Sequence, residues 1–205
     1  VFCALHSDLA VGVPERFRDT LRAVARIAAR DNHLVVLGAT PTRSEPQFGY
    51  LHPGIPINEM AGIKDGGACR VDHFVEKPPA HVADLLIADG ALWNTGIFVW
   101  QARTVLDELQ AHTAELNHGF AALASGDMQQ FSEMVTSVSI DRGLLERSRK
   151  VVVLPAEFGW DDVGTWASLR RVRDLDDTGN GIKGPAHCVD ASGNIVHAEQ
   201  GCVVL

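Results

Sequence analysis

The chain has 205 residues, 46% hydrophobic and 21% charged, which is ordinary globular composition with enough apolar material for a sizeable core. Its formal charge of −8 excludes a general nucleic-acid binder and a protein that docks on anionic membranes through a basic face. No apolar run approaches the ~18 residues of a membrane span, and nothing resembles a secretion signal.

The four cysteines, Cys3, Cys69, Cys188 and Cys202, are scattered without a C-x-x-C pair. That points to a reducing, cytoplasmic setting and away from a structural zinc. The nine histidines form no H-x-x-x-H or similar pair, so a His-rich metal site is not expected. The chain opens at Val1 inside an apolar run and stops at Cys202-Val203-Val204-Leu205, so it reads as an internal fragment cut through strands.

Val1 to Leu5 is strand-like and closes on His6-Ser7-Asp8. Gly12 and Pro14 punctuate the turn, and Pro14 suits a first helical position. From Glu15 to Arg30 the residues Phe17, Leu21, Val24, Ala25 and Ala28 recur at helical spacing. Arg18, Arg22, Arg26 and Arg30 line another face; with Glu15 and Asp19 between them they read as solvated. Leu34 to Leu37 is a second short strand, so the opening is a strand, a helix and a strand, the unit of a parallel sheet.

Thr40 to Gly67 is rich in proline and glycine and reads as one long loop, of the kind that is often functional. Arg70 to Val75 is a strand that ends in Glu76-Lys77-Pro78-Pro79, where the following proline should keep Lys77 extended. A helix with Val82, Leu85 and Leu86 on one face ends at Gly90. Leu92 to Trp100 is the most strand-like run, and Asn94 is an unusual residue inside it; a turn residue at strand entry and a ligand-binding amide are both open readings. Helical spacing returns over Arg103 to Leu123, and an irregular helical stretch runs from Gly126 to Glu146.

Phe158-Gly159-Trp160-Asp161-Asp162-Val163-Gly164-Thr165-Trp166 follows the apolar run Lys150 to Leu154. Paired carboxylates beyond a strand's carboxyl end lie where open α/β sheets bind ligands, and they suit a magnesium ion carrying phosphate. A solvated turn with Thr165 as helix N-cap is the plain alternative. Asp174 to Gly184 is a polar linker, and the tail after it has β character.

Phe48-Gly49-Tyr50, Val75-Glu76-Lys77-Pro78, Trp93-Asn94-Thr95-Gly96, Ser139-Ile140-Asp141 and Trp160 to Trp166 occur in an order that resembles the sugar-nucleotide pyrophosphorylases. The bulky form of the last two is similar to the mannose-1-phosphate guanylyltransferase branch. The resemblance implies an α/β, Rossmann-like nucleotidyltransferase with a mixed sheet flanked by helices. Residues 1–176 would be a partial catalytic domain, and 177–205 a linker and the start of a β-rich region.

The implied reaction joins GTP and mannose 1-phosphate into GDP-mannose and pyrophosphate, with Mg2+ as cofactor. A sister enzyme for another sugar phosphate, or a non-catalytic regulatory subunit, are the rival readings. Carried over by position, Asp8 and Asp162 would hold the metal, Lys77 the sugar phosphate, Glu76 and Asn94 the sugar hydroxyls, and Gly49 the sugar through its backbone. The family's glycine-rich phosphate loop is not in the chain, so the fragment by itself is expected to be inactive. The implied partners are these small molecules, with no nucleic acid or membrane, and a homo-oligomer is compatible with the pattern.

Overall fold

The computed structural model describes residues 1–57 and 67–204. In chain order the elements are β1 Phe2–Ala4, β2 Leu9–Val11, α1 Pro14–Asp31, β3 Leu34–Ala39, β4 Gly49–Pro56, β5 Cys69–Glu76, α2 Ala80–Ala88, β6 Leu92–Trp100 and α3 Ala102–His112. A 3-10 turn Ala114–Leu116, α4 Phe120–Ser125, α5 Met128–Met134 and a π-helical turn Asp141–Leu145 follow. The chain continues with β7 Val151–Pro155, β8 Trp160–Asp162, a 3-10 turn Trp166–Ser168, α6 Leu169–Val172, β9 Gly181–Lys183, β10 Ala186–His187, β11 Ile195–His197 and β12 Val203–Val204.

Two compact units divide the chain. One joins Val1–His6 to Glu15–Glu157, and the other joins Ser7–Pro14 to Phe158–Leu205. The first unit is built on a six-stranded mixed sheet in the order β1-β6-β3-β7-β5-β4. β3 and β7 run parallel, whereas β1 and β3 both run antiparallel to β6.

The opening strands β1 and β3 are therefore parallel in direction, as the strand–helix–strand reading expected, with β6 between them. β6, buried at every position except Asn94, takes this interior place. The sheet core packs Leu34, Val36, Leu51, Phe74, Leu92, Phe98, Val151 and Val153 against Leu144 and Leu145 of the π-helical turn.

α1 begins at Pro14, as the sequence indicated, and buries Val24, Ile27 and Ala28. On its outer face Arg18 pairs with Glu15 at 2.7 Å and Arg22 with Asp19 at 2.8 Å, so those arginines serve a solvated surface.

Two expectations need correction. The proline- and glycine-rich stretch after Thr40 is not all loop, because β4 lies within it; residues 58–66 of that stretch fall outside the described residues. Pro53 and Pro56 sit where the β4–β5 register shifts, so the missing N–H groups break no regular ladder. Lys77 is not extended: its φ is +51°, in the left-handed region, and its N–H donates to Phe48 O at 3.2 Å. That bond closes the β4–β5 ladder one step beyond the Gly49–Glu76 pair and overrides the bias imposed by Pro78.

In the second unit β2 and β8 pair antiparallel, with Leu9 opposite Asp162, Ala10 opposite Asp161 and Val11 opposite Trp160. Further bonds extend this zipper at both ends: Val163 N–H to Asp8 O at 3.1 Å, Gly12 N–H to Gly159 O and Val13 N–H to Phe158 O, both 2.9 Å. Gly159, at φ +69°, lies so near Gly12 that a Cβ on it would be 3.2 Å from the Gly12 Cα. The tail forms the short parallel pairs β9–β11 and β10–β12. Buried Asn180 ties its loops together, accepting from Asn194 N–H at 2.9 Å and donating to Ala191 O at 3.0 Å. Among the described residues no helix is long and apolar enough to cross a membrane, and all four cysteines are free thiols.

Candidate functional site

The sequence candidates fall into two groups, one in each unit. In the second unit the β2–β8 zipper places Asp8, in the turn before β2, next to Asp162 at the end of β8. Consecutive strand residues project to opposite faces, so Asp161 and Asp162 do different jobs. Asp161 receives both Arg171 Nε and Nη2 at 2.7 Å, a bidentate pair that occupies both of its oxygens. Asp162, half-buried, has its carboxylate beside Gly164, where a Cβ would stand 3.3 Å from Oδ1.

Thr165 then caps the following turn in a reciprocal capping box with Ser168, which fixes the chain immediately after the glycine. The cap foreseen in the plain reading and a glycine beside the Asp162 carboxylate thus coexist. Asp8 and Asp162 are near neighbours across the β2–β8 pairing, and carboxylate oxygens are the donor type that suits a hard divalent cation.

In the first unit Gly49, Glu76, Lys77 and Asn94 gather around the start of β4, the end of β5 and a bulge in β6. Gly49 faces Glu76 across β4–β5. A Cβ at Gly49 would lie 2.6 Å from Glu76 Oε2 and 2.7 Å from Phe74 Cζ, so only glycine lets that carboxylate fold over the backbone. Tyr50, fully buried, accepts from Glu45 N–H at 2.9 Å and donates to Glu45 O at 3.2 Å, holding the loop that leads into Gly49. Above it Arg43 stacks 5.0 Å from the Trp93 ring and 5.8 Å from the Phe48 ring.

Lys77 Nζ lies 3.2 Å from Glu76 Oε1; its own side chain is 54% exposed, whereas Glu76 is only 11% exposed. The pair is thus a buried carboxylate with an exposed ammonium, not two surface charges. Asn94 sits where the β3–β6 register slips between Val36 and Gly38, with Gly96 at φ +67°. Its Oδ1 accepts from Gly96 N–H at 3.0 Å, and its Nδ2 donates to Asp141 Oδ1 at 2.9 Å.

Asp141 and Glu146 are the members whose roles sequence reasoning missed. Asp141 opens the π-helical turn, a feature frequent at functional sites, and Glu146 Oε1 accepts from Glu76 N–H at 3.3 Å. The signal for Asp141 was its place in Ser139-Ile140-Asp141; Glu146 carried none. Together they make the group acidic. Burial first, then the nearby Asp141 and Glu146 carboxylates, push Glu76 above the ordinary glutamate range, against the pull of Lys77. Carboxylates and an amide with the Lys77 ammonium beside them are side chains chemically suited to hydroxyl groups and one phosphate.

The family described as Nucleotidyl transferase matches residues 2–178. The chain is 31% identical over 186 residues to "Alginate biosynthesis protein AlgA" of Pseudomonas putida, covering 85% of this chain and 37% of that protein. It is 31% identical over 209 residues to "Mannose-1-phosphate guanylyltransferase ManC" of Salmonella typhimurium, covering 97% of this chain and 43% of that protein. The chain thus spans about two-fifths of the length of these curated relatives. A solved structure described as mannose-1-phosphate geranyltransferase from Thermus thermophilus superposes with a TM-score of 0.83 at 30% identity, over 99% of this chain and 59% of that one. The mixed α/β sheet, the ordered motifs and the match over residues 2–178 agree: the chain belongs to the nucleotidyl transferase family.

Proposed function

We propose that the protein containing this chain transfers a nucleotidyl group from GTP to mannose 1-phosphate, releasing pyrophosphate and forming GDP-mannose. The observation that carries this reading is the division of labour at β8. Arg171 takes both oxygens of Asp161, while Asp162 stands opposite Leu9 in the β2–β8 pairing, next to Asp8. Guanine and mannose as the base and the sugar rest on the names of relatives such as ManC of Salmonella typhimurium.

The reaction forms a bond between an anionic phosphate oxygen of the sugar phosphate and the α-phosphorus of the nucleotide, while the α–β bridging bond breaks and pyrophosphate departs. No general base is needed, because the nucleophile is already charged. The obstacle is repulsion, roughly 4 kcal/mol for each pair of unit charges ~4 Å apart at an effective dielectric of ~20. Mg2+, when bound, would neutralise phosphate charge and favour in-line geometry.

Asp8 and Asp162 would hold that ion. Lys77 offers a compact positive charge to the sugar phosphate, and its exposure leaves the ammonium accessible. Glu76 and Asn94 recognise hydroxyls, with Asn94 held in one orientation by Asp141 and Gly96. Gly49, with no side chain of its own, lets the Glu76 carboxylate fold over its backbone and so brings that hydroxyl-binding group and the backbone to the same point.

The test is product formation by the full-length protein with a matrix of GTP, UTP and dTTP against mannose 1-phosphate and glucose 1-phosphate. The reading requires GDP-mannose as the dominant product. A different base or sugar would retain the family and replace the substrate, and no turnover of any pair would favour a regulatory binding subunit.

A further inference from the structure

Further along the β4–β5 pair from Gly49 and Glu76, the first unit holds a cluster that the proposed chemistry does not use. His52 and His73 are directly opposite in the ladder, with ring centroids 4.7 Å apart and planes 11° from parallel. Asp72 adds a carboxylate 3.2 Å from His73 Nδ1. One ligand atom from each of His52, Asp72 and His73 lies within 4.8 Å of the other two. Two imidazoles and a carboxylate are the ligand set of borderline divalent cations, in contrast to the all-carboxylate pair at Asp8 and Asp162.

A second observation concerns His52 alone. Its Nε2 lies 2.8 Å from Asp89 Oδ2. A carboxylate can only accept, so this contact puts the ring proton on Nε2 and leaves the lone pair of the neutral imidazole on Nδ1. That Nδ1 is buried and has no hydrogen-bond partner among the described residues. A histidine whose far nitrogen is anchored by a carboxylate, with its other nitrogen unprotonated, is the arrangement metal sites use to orient a ligand.

We propose that His52, Asp72 and His73 form a binding site for a divalent transition cation of the zinc class, with Asp89 orienting His52. The ligand atoms around a tetrahedral zinc at ~2.0–2.1 Å stand roughly 3.3–3.5 Å apart, and an imidazole lone pair lies in its ring plane, so the His73 ring must turn out of its stack on His52 to meet the ion. The side chains that move are the exposed ones, His73 at 47% and Asp72 at 68%, while His52 at 20% stays fixed. Water completes the coordination. The site lies three positions along the ladder from the Gly49–Glu76 pair, ~10 Å at ~3.3 Å per residue, so the ion staples the two strands that present those residues.

The test uses the full-length protein, stripped of metal and with its thiols alkylated so that cysteine cannot compete. Zn2+ alone is titrated by calorimetry, and the ring nitrogens are followed by NMR. The site requires one equivalent of Zn2+ that shifts two histidine rings and is not displaced by excess Mg2+. His73→Ala and Asp72→Ala, both at exposed positions, remove that equivalent with the circular dichroism spectrum unchanged. Asp89→Asn weakens it by ~10–100-fold, the usual effect of removing an orienting carboxylate. Zn2+ uptake that is the same in the parent and His73→Ala, or no uptake in the parent, overturns the proposal.

Discussion

Asp141 offers the sharpest handle on the sugar end of the account, because it touches Asn94 and Glu76 by different physics. Its Oδ1 accepts from Asn94 Nδ2 at 2.9 Å, a charge-assisted bond in a half-buried setting. Such bonds contribute about 1.5–3 kcal/mol net. Asn94 is half-exposed, so water can replace part of the loss in Asp141→Ala, and the lower end applies. About 1.5 kcal/mol is roughly a ten-fold rise in the KM for the sugar phosphate.

In Asp141→Asn an acceptor remains and only the charge is lost, so the rise should be about two- to three-fold, as for exchanging a charged bond for a neutral one. Asp141 also raises the Glu76 pKa, second only to burial. Both variants should therefore lower it, moving the Glu76 carboxyl titration seen by 13C NMR toward lower pH. Steady-state kinetics with both substrates varied, in the full-length protein, reads the first effect. Unchanged KM for the sugar phosphate in Asp141→Ala, or equal changes for both substrates, would refute the idea that Asp141 positions Asn94 for the sugar. An unmoved Glu76 titration would refute the electrostatic half.

The other expectations are simpler. Asp162→Asn should abolish turnover with little change in melting temperature, while Asp161→Asn, which breaks a half-exposed ion pair with Arg171, should cost about 0.5–1 kcal/mol of stability and only a few-fold in rate; the reverse ranking would exchange their roles. Gly38→Ala would put a Cβ 2.7 Å from Val153 Cγ2 and 2.9 Å from Leu92 Cδ1, an overpacking of about 1–3 kcal/mol, visible as a fall of several degrees in melting temperature. Burial raises the Glu108 pKa, but hydrogen bonds from Lys150 and Ser148, with the charges of Lys150 and His112, outweigh it and leave the carboxyl below the ordinary glutamate range. Because the folded-state pKa lies below the unfolded one, this contribution to stability is present above ordinary glutamate pH and is lost as pH falls through the folded value. Urea melts from pH 7 down to pH 3 should show that loss, and Lys150→Met should reduce it; an identical pH profile in the variant would contradict the assignment.

Much of the fold was legible because its signals are local. The apolar face of α1, the run Leu92 to Trp100 and the cap at Thr165 each declare themselves within a few residues. What stayed hidden depends on partners distant in sequence. β4 carries Gly49, Pro53, Gly54 and Pro56, so its composition reads as loop, and only the ladder with β5 makes it a strand. The neighbours of β3 are decided by competition for the sheet interior, which spacing along the chain does not encode.

The same holds at the candidate site. Asp8, Gly49, Glu76, Lys77, Asn94 and Asp162 could be named from ordered motifs, but the turn at Lys77, the Arg171 grip on Asp161 and the Asp141 contact are tertiary facts. His52 and His73 form no motif in the sequence because their neighbourhood is a cross-strand register.

The central claim is one divalent cation held jointly by Asp8 and Asp162. Mn2+ shares the oxygen preference of Mg2+ and can be counted by electron paramagnetic resonance. In the full-length protein, the account predicts that Asp8→Asn and Asp162→Asn each weaken the same Mn2+ site by at least about ten-fold, because each removes a charged oxygen ligand, while Asp161→Asn leaves it intact. Parent-like Mn2+ binding in both Asp8→Asn and Asp162→Asn would contradict it.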